Sequence, residues 1–159
     1  MPTNISAHEI EAFKKFVLKL PHGKDIVLVV LKGQLLIEEQ VKLIVRERVR
    51  IFSCLERERF SFYQYVCLAN ALVGREAPTW IWSSLKRLGK LRNQIAHEME
   101  PHSLNADVEK FIASVPGDFQ KVGLQEHLEL KLWGLFVNVS ALVNNPNATI
   151  ATLSEHRKK

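Results

Sequence analysis

Ile26-Val-Leu-Val-Val-Leu-Lys-Gly-Gln-Leu-Leu-Ile-Glu-Glu-Gln-Val-Lys-Leu-Ile-Val-Arg46 is the stretch whose reading decides the fold class. The β-branched residues at its start suit a strand over 26–31, and that choice would lead toward a mixed α/β fold. From Leu35 onward, however, apolar residues recur at helical period as far as Arg46, and the one weak helix former on the way is Gly33. One long helix from about Asp25 to Arg50 accounts for the whole run. Its first turns are apolar all round, which predicts a central, buried helix.

Working outward, Ser6-Ala-His-Glu9 has the spacing of a capping box, so a helix should begin there and stop before Pro21, with Ile10, Phe13, Val17 and Leu20 on one face. Downstream, Phe60 to Val73 reads as a helix closed by Gly74, the residue type that most easily takes up the left-handed conformation. Pro78 suits the opening of a fourth helix that runs to about Glu100 and halts at Pro101. A short helix is expected from Leu104 to Ser114, ended by Pro116-Gly117, and a long one from about Phe119 to Val143. The expectation is an all-α helical bundle of five or six helices over 1–143, with a frayed tail over 144–159 that closes in His-Arg-Lys-Lys.

The composition agrees with a single folded domain. The chain has 159 residues, 47% hydrophobic and 25% charged, and 7 Gly with 6 Pro exclude disordered and collagen-like classes. Cys54 and Cys67 form no CxxC pair, which removes a disulfide framework and a zinc knuckle and makes the reducing cytoplasm the expected compartment. No run approaches the ~20 apolar residues that cross a bilayer, so no membrane association is expected. The first residues lack a basic, then apolar, signal pattern, and the Asn-x-Ser/Thr triplets at Asn4, Asn138 and Asn147 are read as chance. A net charge of +5 permits a phosphate-bearing partner without requiring one.

The segment richest in chemistry is Trp80-Ile-Trp-Ser-Ser-Leu-Lys-Arg-Leu-Gly-Lys-Leu-Arg-Asn-Gln-Ile-Ala-His-Glu-Met-Glu100. At about 100° per residue, Ile81, Leu85, Leu88, Ile95, Ala96 and Met99 share a face that must be the core side. Arg92 falls inside that apolar arc, and a buried guanidinium needs a carboxylate, a route to solvent, or a cleft or subunit seam to open onto. On the flank, Lys86, Lys90, Asn93 and His97 align at helical spacing as a cationic stripe that ends in an imidazole. A planar cation, an amide and an imidazole within two turns are the groups needed to hold a phosphodiester and move its protons.

Other patterns carry less. His97-Glu-Met-Glu-Pro-His102 has its histidines five apart with Pro101 between, so they do not share a face as a zinc site requires, and no metal or cofactor is expected. There is no phosphate-binding glycine loop. The mixed run from Arg46 to Arg59 reads as a solvated face, and Trp80, Trp82 and Trp133 as core or interface anchors.

Leu91-Arg92-Asn93-Gln94-Ile95-Ala96-His97 resembles the signature of HEPN domains, in which an Arg is followed by four to six residues and a His, often with a polar residue directly after the Arg. The layout resembles that family too: Gly33-Gln-Leu-Leu-Ile-Glu38-Glu39-Gln in a long helix, then Phe60-Ser-Phe before an Ala-Leu-containing helix, then the motif helix. It is also similar to the mannitol operon repressor family, itself a HEPN-like bundle, and covers roughly residues 25–143. The resemblance implies a metal-independent endoribonuclease, a toxin or defence component that cuts RNA as a homodimer. It assigns general acid/base work to His97, phosphate stabilisation to Arg92, orientation to Asn93 and substrate binding to Lys86 and Lys90. It points to Glu38 and Glu39 as partners of Arg92, whereas the helical wheel puts Gln40 and Glu47 nearer the mid-core line of the long helix, so that Glu38, Gln40 and Glu47 all stay open as partners. The alternative it implies is a catalytically inactive regulator that acts through protein contacts. Glu98-Met99 after His97 departs from the His-x-Tyr subgroup, whose tyrosine is modified by a partner antitoxin.

Overall fold

The computed structural model of the chain describes residues 6–98, 103–118 and 122–144. Among these there are seven α-helices and no strand: α1 Ala7–Lys19, α2 Ile26–Arg48, α3 Ser53–Glu56, α4 Phe62–Val73, α5 Thr79–His97, α6 Leu104–Ser114 and α7 Leu124–Asn144, with a short 3-10 turn at Gly74–Glu76. Six of the seven occupy the predicted stretches. The extra one, α3, has four residues, too few for a helical period to show in sequence.

Local chemistry explains most boundaries. Ser6 and Glu9 form both halves of the predicted capping box of α1. Asp25 caps α2 by accepting the Val27 amide at 2.8 Å, so the β-branched run at 26–31 enters a helix already nucleated by its cap. Ser61 and Gln64 make a second capping box that starts α4, and Gly74, at φ 63°, ends it. Pro78 is the N-cap residue of α5. α5 ends at His97 and α7 begins at Leu124, short of the predicted Glu100 and Phe119, which lie outside the described residues; of the predicted tail from Asn144, that residue closes α7 and the rest lies outside them.

The central position predicted for α2 holds, since it packs on α1, α4, α5 and α7. Val29, Val30, Ile37, Val41, Ile44 and Val45 are fully buried. Gly33 is a seat for α7: a Cβ there would lie 2.8 Å from Leu132 Cδ1. Buried Gln40 is satisfied, accepting from Ser140 at 3.2 Å and meeting His8 Nε2 at 3.1 Å. The first turns are less covered than predicted, with Leu28 and Leu35 both exposed.

The face of α1 needs correction. Ala12, Phe16 and Leu20 are buried, whereas Ile10, Phe13 and Val17 are 44%, 45% and 42% exposed. Small Ala12 lets α1 settle close against its neighbours, and the larger stripe is left at the rim, where Phe13 meets the edge of Trp133 at 4.7 Å. Between α1 and α2, Gly23 turns at φ 66° and donates its amide to Glu129 of α7 at 3.0 Å.

Candidate functional site

The motif helix α5 buries Ile81, Trp82, Ser84, Leu85, Leu88 and Leu91. Ser84 ties it to α6 by donating to the Ser114 carbonyl at 2.8 Å. Beyond Leu91 the helix leaves the core: Ile95 is half-buried, and Arg92, Asn93, Ala96 and His97 are exposed. The apolar arc predicted for this helix is therefore right for Ile81, Leu85 and Leu88 and wrong for Ala96, while Met99 lies outside the described residues.

Arg92 does project between Leu85 and Leu88 when the helix is viewed down its axis. At its height, however, α2 and α4 no longer close on α5, and a cavity of about 450 Å³ opens instead. Of the outcomes open to an arginine on the apolar face, the structure gives it a cleft. The α5 wall of that cleft carries Lys86, Gly89, Lys90, Arg92 and Asn93; α2 contributes Gln34 and Glu38; Phe60, Ser61, Phe62, Tyr63 and Val66 line the opposite side. Gly89 sets the spacing of the two walls, because a Cβ there would lie 2.9 Å from Phe62 Cδ1.

Among the described residues no carboxylate lies within 4 Å of the cations of Lys86, Lys90 or Arg92. The Arg92 guanidinium donates to Asn93 Oδ1 at 3.3 Å, and the Lys86 ammonium stands 5.7 Å from the centre of the Tyr63 ring. Neither carboxylate expected to pair with Arg92 does so. Glu38 lines the cleft but accepts from Gln34 Nε2 at 2.6 Å and Lys42 Nζ at 2.8 Å. Glu39 points the other way and binds Lys15 of α1 at 2.6 Å. Gln40 is committed to Ser140 and His8, and Glu47 is exposed. Three cations against one carboxylate leave the cleft electropositive.

No family model, curated protein or solved structure matches the chain. The site therefore rests on its own geometry. The cleft gathers Lys86, Lys90, Arg92, Asn93 and Glu38 in one place. It does not gather His97, the last residue of α5, which sits one turn past Asn93 and does not line the cavity. Within one chain the arrangement can hold an anion, and an imidazole stands at the edge. Among the described residues no three His, Cys, Asp or Glu side chains come together as a metal site.

Sequence reading missed Tyr63, Gln34 and the seating of Phe62 on Gly89. The Ser61-x-x-Gln64 capping box was the available signal for Tyr63, since it fixes the start of α4 and hence which first-turn residues face outward.

Proposed function

We propose that the chain is a HEPN-like, metal-independent endoribonuclease that works as a homodimer, a toxin or defence component by the family resemblance. The observation that carries this reading is the set of three cations without carboxylate partners, Lys86, Lys90 and Arg92, that face one cleft beside Asn93, with His97 one turn beyond. Arg92 and the two lysines hold the phosphodiester and offset the charge that grows on its oxygens in the transition state. His97 takes the proton of a ribose 2′-OH, whose oxygen attacks phosphorus. The 5′-oxygen leaves and is protonated, and a cyclic phosphate remains. Imidazole suits both proton transfers because its ring nitrogens can accept a proton and give it back. A dimer in which two exposed α5 ends meet brings a second copy's His97 toward the cleft. In a second reading the protein is a catalytically silent regulator that acts through protein contacts, and the position of His97 outside the cleft of its own chain favours it.

Incubation of the purified protein with mixed RNA in EDTA tests the proposal. Cutting that disappears in His97→Ala and Arg92→Ala, with circular dichroism unchanged, is the expected result. A wild type that cuts no RNA, or cutting untouched by His97→Ala, refutes the nuclease reading. Only monomers by light scattering at micromolar concentration would remove the composite site.

A further inference from the structure

The cleft contains more than a phosphate site requires. Tyr63 stands in the first turn of α4, held there by the Ser61–Gln64 capping box, and is 59% exposed even though it lines a cavity. An aromatic face next to cations is the arrangement on which a nucleobase stacks while its phosphate is held. On α2, Glu38 lines the same cavity, its side chain 19% exposed and fixed by Gln34 and Lys42, one at each carboxylate oxygen. Each oxygen has two lone pairs, so each can accept one further hydrogen bond. A carboxylate among three cations works against a site for phosphate alone. It becomes intelligible if the occupant also brings a donor, as the exocyclic amino group of a base does. The cavity, about 450 Å³, falls in the range of pockets that enclose a small ligand.

We infer that this cleft holds one unpaired nucleobase, stacked on Tyr63 and contacted at its edge by Glu38, so that the substrate is single-stranded RNA with an amino-bearing base at that position. The inference rests on the reading of the cleft as an RNA phosphate site and adds base selection to it. Lys86 serves both parts, since its ammonium lies against the Tyr63 ring and on the cleft wall. Cytosine is then preferred to uracil, which presents a carbonyl where cytosine has its amino group and would meet the Glu38 carboxylate acceptor to acceptor.

Fluorescence anisotropy with the 159-residue chain and end-labelled octamers tests this. The probes are oligocytidylate, oligouridylate and an abasic ribose-phosphate octamer of equal charge. Wild type should bind oligocytidylate about tenfold more tightly than the abasic probe, from stacking of one base. Tyr63→Ala should abolish that advantage, so that oligocytidylate and the abasic probe bind alike, and Tyr63→Trp should restore it. Glu38→Gln should remove the cytosine preference. Equal binding of abasic and base-bearing probes, or a base advantage that survives Tyr63→Ala, overturns the inference and leaves the phosphate site standing. Cytosine and uracil bound alike refute the assignment to Glu38. If wild type binds none of the three, the inference falls together with the functional reading beneath it.

Discussion

Replacing Gly33 by alanine should destabilise the fold although alanine is the better helix former. Within α2 the exchange alone would gain about 1 kcal/mol from helix propensity. The added Cβ, however, would lie 2.8, 3.2 and 3.5 Å from Leu132 Cδ1, Cδ2 and Cγ. Leu132 is fully buried in α7, so its side chain has little room to retreat. Overpacking of this kind costs about 1–3 kcal/mol, which leaves Gly33→Ala less stable than wild type by about 1 kcal/mol. Leu132→Ala alone should cost about 2–5 kcal/mol through the lost side chain and its cavity. In that background the clash is gone, so alanine at position 33 should regain its helical advantage, and the two changes should couple by about 2 kcal/mol. Urea unfolding followed by circular dichroism on the four proteins of the cycle gives each value. A Gly33→Ala protein more stable than wild type with Leu132 in place, or strictly additive effects, would refute the close approach of α2 and α7.

Three further outcomes are expected. Arg92→Ala should change stability by no more than about 0.5 kcal/mol, since the guanidinium is exposed and has no carboxylate partner, and a loss of several kcal/mol in urea unfolding would show a buried pair instead. Gly89→Ala should displace Phe62 and narrow the cleft, weakening binding of the oligocytidylate octamer about fivefold for a displacement worth about 1 kcal/mol; unchanged affinity would separate that contact from the site. His22 has Nδ1 3.0 Å from a Glu129 carboxylate oxygen and Nε2 3.0 Å from the Val17 carbonyl, two acceptors that only the imidazolium can satisfy at once. The hydrogen bond to Glu129 raises its pKa above 6.5, so its stabilisation is complete below pH 6.5 and fades as pH climbs through the raised value. The gap in urea midpoint between wild type and His22→Gln should therefore be larger at pH 5.5 than at pH 8.5, and a gap that widens with pH would contradict the assignment.

The parts of the fold that sequence made legible are those written in local chemistry. Ser6 with Glu9 and Gly74 each mark a helix end through groups a few residues away, and the structure has those ends where they predict. Periodicity supplied the angle of a residue around its helix but not what stands opposite it. Ile10, Phe13 and Val17 form a proper apolar stripe, and yet the tighter approach is made by the face with Ala12. Arg92 has the angle of a core residue and is exposed, because exposure depends on how far the neighbouring helices reach along α5. The partners suggested for it failed for the same reason. Glu38 and Glu39 are adjacent in sequence, and the helix turns one toward the cleft and the other toward Lys15. His97 shares a stripe with Lys86, Lys90 and Asn93, but the cavity ends before it.

A functional turn that stands clear of the core would be a poor platform if it were loose, since positioned groups contribute far more than mobile ones. The last turns of α5 are held from behind. Ile95 packs against the hydrophobic core, and Gln94 lies next to Asp107 of α6. The Asp107 carboxyl is kept below the usual carboxylate range first by the Ser103 hydroxyl, at 2.8 Å, then by Lys110, at 3.1 Å, and also by Gln94. Asp107 is thus an acceptor that stays ionised beside the end of α5, its hydrogen bonds at 2.8 and 3.1 Å made to Ser103 and Lys110. The front of the same turns, free of core contacts, presents Arg92, Asn93 and His97 to solvent. Division of one helix into an anchored back and an open front accounts for an arginine that keeps the angle of a core residue while its charge remains available. It also means that substitutions at the anchor, rather than in the motif itself, are where the aim of His97 can be altered without removing any side chain of the cleft.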